Sequence, residues 1–227
     1  MTLPTRNGLA FEVDAALRGI LTLGWLEADG LSPEGLQEGF AHERDDALTR
    51  VVSRLAGRSA GDLPGVGENR RMFHRLGVDP TKTRPSSEAL LRRVQQGKAF
   101  PSIVPAVDCC NLASVEHQFS LGLYDRDLVH GAVFARMGRG GEGYEGIRKG
   151  RVGLTERPLL ADDIGAFGAP TSDSARTQVT GATRALLCVV YSPAERSTED
   201  LSVMLARVTD LLTRYCGATV HLVHTLQ

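Results

Sequence analysis

Residues 16–28 read ALRGILTLGWLEA, and the apolar run from Ile20 through Trp25 to Leu26 predicts a strand. Ser32 and Pro33 then supply a helix N-cap and a proline at the first helical position. Leu36, Phe40, Leu48, Val51, Val52 and Leu55 follow at helical spacing as far as Gly57. The stretch 59–67 holds four glycines and prolines and predicts a loop, the one soft boundary in the chain. A strand and helices before it cannot bury a core alone, so 1–227 is expected to form a single domain. A short helix over 68–76 is expected to stop at Gly77. The next begins at Ser86 or Ser87, with Glu88 in its first turn, Arg92 and Arg93 in its last, and Gly97 just beyond, charges that suit the helix dipole.

From Ile103 to Thr183 the texture changes to short apolar runs broken by glycine: IVPAVDCC, AVFARM and PLLADD. These predict strands of a mainly antiparallel sheet, with FSLGLYDRDL as a loop closing on the Tyr124–Asp125 pair. Residues 185–190 predict a buried strand. Ser197 and Asp200 form a capping box before a helix striped by Leu201, Met204, Leu205, Val208, Leu211, Leu212 and Tyr215. Gly217 ends that helix, and 219–223 returns as a final strand. The fold class is α+β, with strands in the middle and helices packed outside.

A chain of 227 residues with 42% hydrophobic content can bury a substantial core. A net charge of −1 excludes a globally basic polyanion binder and leaves only a local basic face open. Cys109, Cys110, Cys188 and Cys216 contain no C-x-x-C pair, and Cys109 and Cys110 are expected on opposite faces of one strand. Four scattered cysteines suit a reducing, cytoplasmic setting. The N-terminal segment lacks an apolar signal core, and no run approaches 18 apolar residues, so neither secretion nor membrane spanning is expected.

Gly138-Arg139-Gly140-Gly141-Glu142-Gly143 satisfies G-x-G-x-x-G. The glycines at 146, 150 and 153 leave no helical stripe to receive a pyrophosphate, so a hairpin loop is expected instead. His221 and His224 lie three apart in a predicted strand and do not make a metal pair; no metal or cofactor is expected. Arg136, Arg139, Arg148, Lys149 and Arg151 gather in one stretch. They form either a phosphate-facing rim or a solvated loop of mixed charge with Glu142 and Glu145. Asp108 and Asn111 fall where an apolar strand is expected to give way to a loop. TSDSARTQVTGAT, residues 171–183, concentrates hydroxyls before a buried strand, as an ester-binding loop or as ordinary turn chemistry.

The order of these pieces resembles the B3/B4 domain of the bacterial phenylalanyl-tRNA synthetase beta subunit. PSSEALLRRV is similar to its P-S-x-E-x-L-x-x-R-L, PAVDCCN to its V-V-D-x-x-N, and LGLYDRDLVHGAVFARMGRGGE to its aromatic-acid loop and strand. LTERPLLADDIGAFG and TQVTGATRALL resemble the two segments that close the pattern. The likeness spans about 70–191, between an N-terminal strand-helix portion (1–69) and a C-terminal helix and strand (192–227). It implies a three-layer domain with a β-sandwich core flanked by helices, binding tRNA or aminoacyl-tRNA through a small amino-acid moiety. It also implies metal-independent editing, by hydrolysis of a misacylated aminoacyl ester. In this sequence Gly122 stands at the family's pocket histidine, Cys188-Val189-Val190 near its selecting glutamate, and Asp173-Ser174 at its Gly-Gly turn. The residues implied around the pocket are Asn111, Asp173, Ser174 and Thr180 for chemistry and Gly122, Arg176 and Thr177 for substrate. The cations Arg136, Arg139, Arg148, Lys149 and Arg151 are implied for RNA. A catalytically silent module, binding tRNA or a free amino acid, is the other reading left open.

Overall fold

The computed structural model describes residues 8–32, 38–55 and 57–226. In chain order β1 (Phe11–Val13) and β2 (Leu21–Asp29) precede the helices α1 (Phe40–Leu55), α2 (Pro64–Arg75), α3 (Ser86–Gln95) and α4 (Pro105–His117). Then come β3 (Ser120–Asp125), β4 (Val133–Met137), β5 (Gly143–Gly146), β6 (Gly150–Gly153), β7 (Pro158–Ala161), β8 (Ala166–Ala169) and β9 (Ser172–Asp173). β10 (Ala185–Pro193), α5 (Thr198–Cys216) and β11 (Thr219–Leu226) complete the fold.

Three layers result. A four-stranded sheet in the order β11-β2-β10-β3 lies in the middle, a five-stranded sheet β1-β4-β7-β8-β9 covers one face, and helices cover the other. β10 pairs antiparallel with β2 along its whole length, Ala185 opposite Asp29 through Pro193 opposite Leu21. Alternate residues of β10 therefore serve two cores. Leu186, Cys188 and Val190 pack under the helices with Leu112, Met204 and Leu211. Leu187, Val189 and Tyr191 pack between the sheets with Tyr124, Leu160 and Phe167. Burial on both faces explains why β2 and β10 read as unbroken apolar runs rather than alternating ones.

Most predicted elements are present. Helix α3 has the forecast polarity, and α5 is capped by the Ser197 hydroxyl, which accepts from the Asp200 N–H, and closed by left-handed Gly217. The expected loop over 59–67 instead holds a capped 3₁₀ turn at Ala60–Asp62 and the first turn of α2. The N-cap expected at Ser32-Pro33 involves residues outside those described. FSLGLYDRDL is not a loop: its first half is β3, an edge strand hydrogen-bonded to β10.

The largest correction concerns IVPAVDCC. Pro105 begins α4, which runs to His117 and buries nine of its thirteen residues. A helix surrounded by protein carries no polar face, so its periodicity vanishes and an apolar run resembles a strand. The local signals that survive are Pro105 at the first helical position, and Asp108, whose carboxylate accepts the Ile103 N–H at 2.8 Å. Cys109 and Cys110 consequently meet different elements. Cys109 Sγ lies 3.7 Å from Cys216 Sγ of α5, Cys110 sits beside Cys188 of β10, and all four thiols are free and buried. Among the described residues no helix is long and apolar enough to cross a membrane.

Candidate functional site

β9 is the edge of the five-stranded sheet, paired with β8 through Gly168 and Asp173. From this edge the Asp173 carboxyl turns inward toward β3. Its Oδ1 is buried and has no hydrogen-bond partner. Burial pushes the carboxyl up to about pKa 7, while hydrogen bonding from the Tyr124 hydroxyl and the Leu123 N–H, with Lys149 nearby, opposes the rise. Tyr124 and Tyr191 share a hydrogen bond at 2.9 Å, and burial pushes both phenols far above the ordinary range. The Tyr124 ring meets Phe167 edge-on at 4.8 Å. Asp173, Tyr124 and Tyr191 thus form a polar array at the sandwich edge, which ends in the unpartnered Oδ1 of the Asp173 carboxyl.

Two glycines make room for that array. A Cβ on Gly122 or on Gly168 would collide with the Tyr124 hydroxyl. The position where the family resemblance places a histidine is therefore occupied by a tyrosine from two residues along the same strand. Tyr124 escapes a reading of the sequence because a tyrosine in an apolar strand signals only core packing.

The remaining predicted residues separate into three places. Ser174 caps a 3₁₀ turn by accepting the Arg176 N–H at 3.1 Å, and the buried Thr177 hydroxyl reaches the Phe167 carbonyl at 3.5 Å. Arg176 donates to both oxygens of Asp162, at 2.8 and 3.1 Å, and to the Leu128 carbonyl at 2.9 Å. These three groups brace the loop behind Asp173. Thr180 lies farther along, where its N–H donates to Thr183 Oγ1, and it lines a cleft of about 50 Å³ with Val104, Pro105 and Cys216. The hydroxyl-rich segment is largely turn chemistry. Asn111 is half-buried on α4, in the helical layer, so the middle sheet stands between it and Asp173.

The five cations of 136–151 also divide. β5 and β6 form a hairpin that folds back on β9, with a bridge between Gly146 and Ser174 and the Ile147 N–H donating to the Asp173 carbonyl at 3.2 Å. G-x-G-x-x-G is the turn into this hairpin, as expected, and no helix follows it. Arg136 is held by Glu142 through two hydrogen bonds of 2.6 and 2.8 Å. Arg151 donates to the Gly141 carbonyl, whereas Arg139, Arg148, Lys149 and Arg151 all remain exposed. Lys149 is the cation that bears on Asp173. Among the described residues no cluster of His, Cys, Asp and Glu has the makings of a metal site. His221 lies at a bulge in β11, 3.2 Å from Asp29, and His224 stacks on Trp25.

A match to the B3/4 domain covers residues 68–217, about two thirds of the chain. The chain belongs to the B3/4 domain family. No curated protein sequence matches it. Among solved structures, this B3/4 protein is similar to an N-terminal fragment of the phenylalanyl-tRNA synthetase beta-subunit from Pyrococcus horikoshii. The TM-score is 0.53 at 13% identity, covering 99% of this chain and 57% of that one. The chain therefore spans little more than half the length of that fragment, and the likeness is one of fold. The B3/4 match begins in α2 and ends at the C-cap of α5. The structural likeness extends over the N-terminal strands, where β2 inserts between β11 and β10. The protein is a B3/4 domain of α+β architecture.

Proposed function

We propose that this B3/4 protein binds aminoacyl-tRNA in the cytoplasm and receives the aminoacyl group at Asp173. The observation that carries this reading is the unpartnered, buried Asp173 Oδ1 beside Tyr124, whose hydroxyl packs against Gly122 and Gly168. A buried carboxylate is stabilised by an opposite charge, and the α-ammonium of an aminoacyl group supplies one. The Tyr124 ring fills the space against Gly122 and Gly168, so its side chain must turn aside or share that space with the acyl group. That filled space favours binding without turnover.

Ester hydrolysis is the second reading, and the position of the Asp173 pKa near 7 favours it. A carboxylate poised there can take the proton of a water attacking the ester carbonyl, while the Tyr124 hydroxyl donates to the developing oxyanion. The tRNA ribose hydroxyl then leaves with a proton. In this role Asp173 acts on water rather than on the ammonium.

A panel of charged and uncharged tRNAs separates the two. Binding predicts tighter association of charged than uncharged tRNA, a preference that Asp173→Asn abolishes, with no released amino acid. Release of one amino acid that disappears in Asp173→Asn establishes the hydrolase. Equal affinity for charged and uncharged tRNA, without release, refutes both.

A further inference from the structure

A second local departure from the chain's near-neutral balance lies on and beside α3, far in sequence from the glycine-rich hairpin. A groove of about 440 Å³ there is lined by Arg84, Arg92, Arg93 and Lys98, with Gln96 and Leu90, and no acidic side chain lines it. Glu88 lies beneath, fully buried. Its carboxylate accepts from Arg70 Nε and Nη2 at 2.9 and 2.7 Å and from Arg92 Nε at 2.7 Å, and Arg84 Nε approaches at 3.4 Å. Burial alone would raise the Glu88 pKa, but the hydrogen bonds from Arg70 and Arg92 outweigh it and hold the group ionised.

One carboxylate thus organises three guanidinium groups and neutralises one charge among them. Arg84 and Arg92 keep 43% and 34% of their side-chain surface exposed, so each is anchored at Nε while its outer N–H groups face solvent. Arg93 is tethered through Nε to the Ala99 carbonyl, and Lys98 makes no ion pair among the described residues. Anchored guanidinium forks lose little freedom on binding and match the oxygens of a phosphate.

We propose that this groove binds chained phosphates, as the backbone of RNA presents them. Charge complementarity selects the partner: Arg92 and Arg93 lie on a helix of about 15 Å, Arg84 just before it and Lys98 just after it, with only Ala89 and Leu90 as apolar lining. An acidic protein surface would need an apolar interface core, and an anionic membrane would need exposed apolar side chains to insert. In the hairpin Arg136 is paired with Glu142 while Arg139, Arg148, Lys149 and Arg151 remain exposed, so the hairpin is the comparison surface for the test. The assignment of RNA as the source rests on the tRNA reading above; the groove itself does not.

The test is anisotropy titration of unfractionated tRNA against the full chain, with tripolyphosphate and polyglutamate as parallel probes. The variants are Arg93→Glu/Lys98→Glu and, for comparison, Arg139→Glu/Arg148→Glu, each checked for native thermal unfolding. Neither pair includes an arginine held by Glu88. The α3 variant is expected to weaken tRNA binding at least tenfold at low salt and to lower the salt slope by about one per lost phosphate contact. It should also lose tripolyphosphate binding, with the hairpin variant less affected. Wild-type binding of tripolyphosphate but not tRNA upholds the groove and refutes the tRNA reading. Undiminished tRNA binding by the α3 variant overturns the groove and leaves that reading standing. Equal loss of polyglutamate and tripolyphosphate overturns the assignment to phosphate, and absence of all binding overturns both.

Discussion

Asp173→Asn should stabilise this protein, and do so only at high pH. The carboxyl titrates near 3.8 in an ordinary setting and near 7 where it is buried. Between those values the unfolded chain has released the proton and the folded protein still holds it. Stability from this group therefore falls as pH rises, by about 1.4 kcal/mol per pH unit, and levels off above about 7. The accumulated penalty at pH 8 is about 4 kcal/mol. Asparagine keeps the shape and can accept the Tyr124 and Leu123 hydrogen bonds through its carbonyl without carrying charge. Urea unfolding of both proteins at pH 3.5 and pH 8 isolates the effect, because all other titrations cancel in the difference. The variant should match wild type within about 1 kcal/mol at pH 3.5 and exceed it by about 4 kcal/mol at pH 8. A difference that does not change with pH would refute the burial argument, and a less stable variant at pH 8 would show that the carboxylate is paired in the folded protein. A residue kept at such expense is the pattern expected of a site retained for binding rather than for folding.

Three further outcomes follow from the same geometry. Glu88→Gln removes the shared partner of Arg70, Arg84 and Arg92 and should destabilise by about 3 kcal/mol, less than for fully enclosed cations because the arginines can rehydrate; a loss below about 0.5 kcal/mol in urea unfolding would contradict the anchoring role. Gly122→Ala forces its Cβ into the Tyr124 hydroxyl and should cost about 1–3 kcal/mol, and adding Tyr124→Ala should relieve the clash, which a double-mutant cycle in thermal unfolding reads as a coupling of the opposite sign. All four cysteines should resist a thiol reagent in the native protein and react together on unfolding; rapid reaction of Cys109 or Cys110 without denaturant would show that α4 opens.

Much of the architecture was legible in the sequence because it is written in short-range chemistry. Helix α3 announces itself by Glu88, Arg92, Arg93 and Gly97, and α5 by the Ser197–Asp200 cap and a single apolar stripe. β2 and β10 were legible as strands, though not their pairing, which depends on contacts about 160 residues apart. α4 was misread for a physical reason: protein surrounds it, so no polar face marks its period. For the same reason Asn111, expected at a strand-loop junction, lies on a helix across the sheet from Asp173. Asp173 stands out in the sequence because Asp173-Ser174 replaces the family's Gly-Gly turn, but nothing local shows that its carboxyl turns inward. Tyr124 was hidden because its role depends on two glycines, Gly122 and Gly168, that come from different sheets. The α3 groove was half visible: Arg92 and Arg93 read as partners of the helix dipole, and only tertiary packing brings Arg70 to Glu88.

Carbon-13 NMR of the Asp173 carboxyl reads whether that group meets the ammonium of an aminoacyl group. The titration is run on the free protein and again with a non-hydrolysable aminoacyl-adenosine bound through an amide. A pKa of about 7 in the free protein that falls on binding, as an approaching positive charge requires, is the predicted result. An unmoved pKa with the ligand bound would place the aminoacyl group away from Asp173.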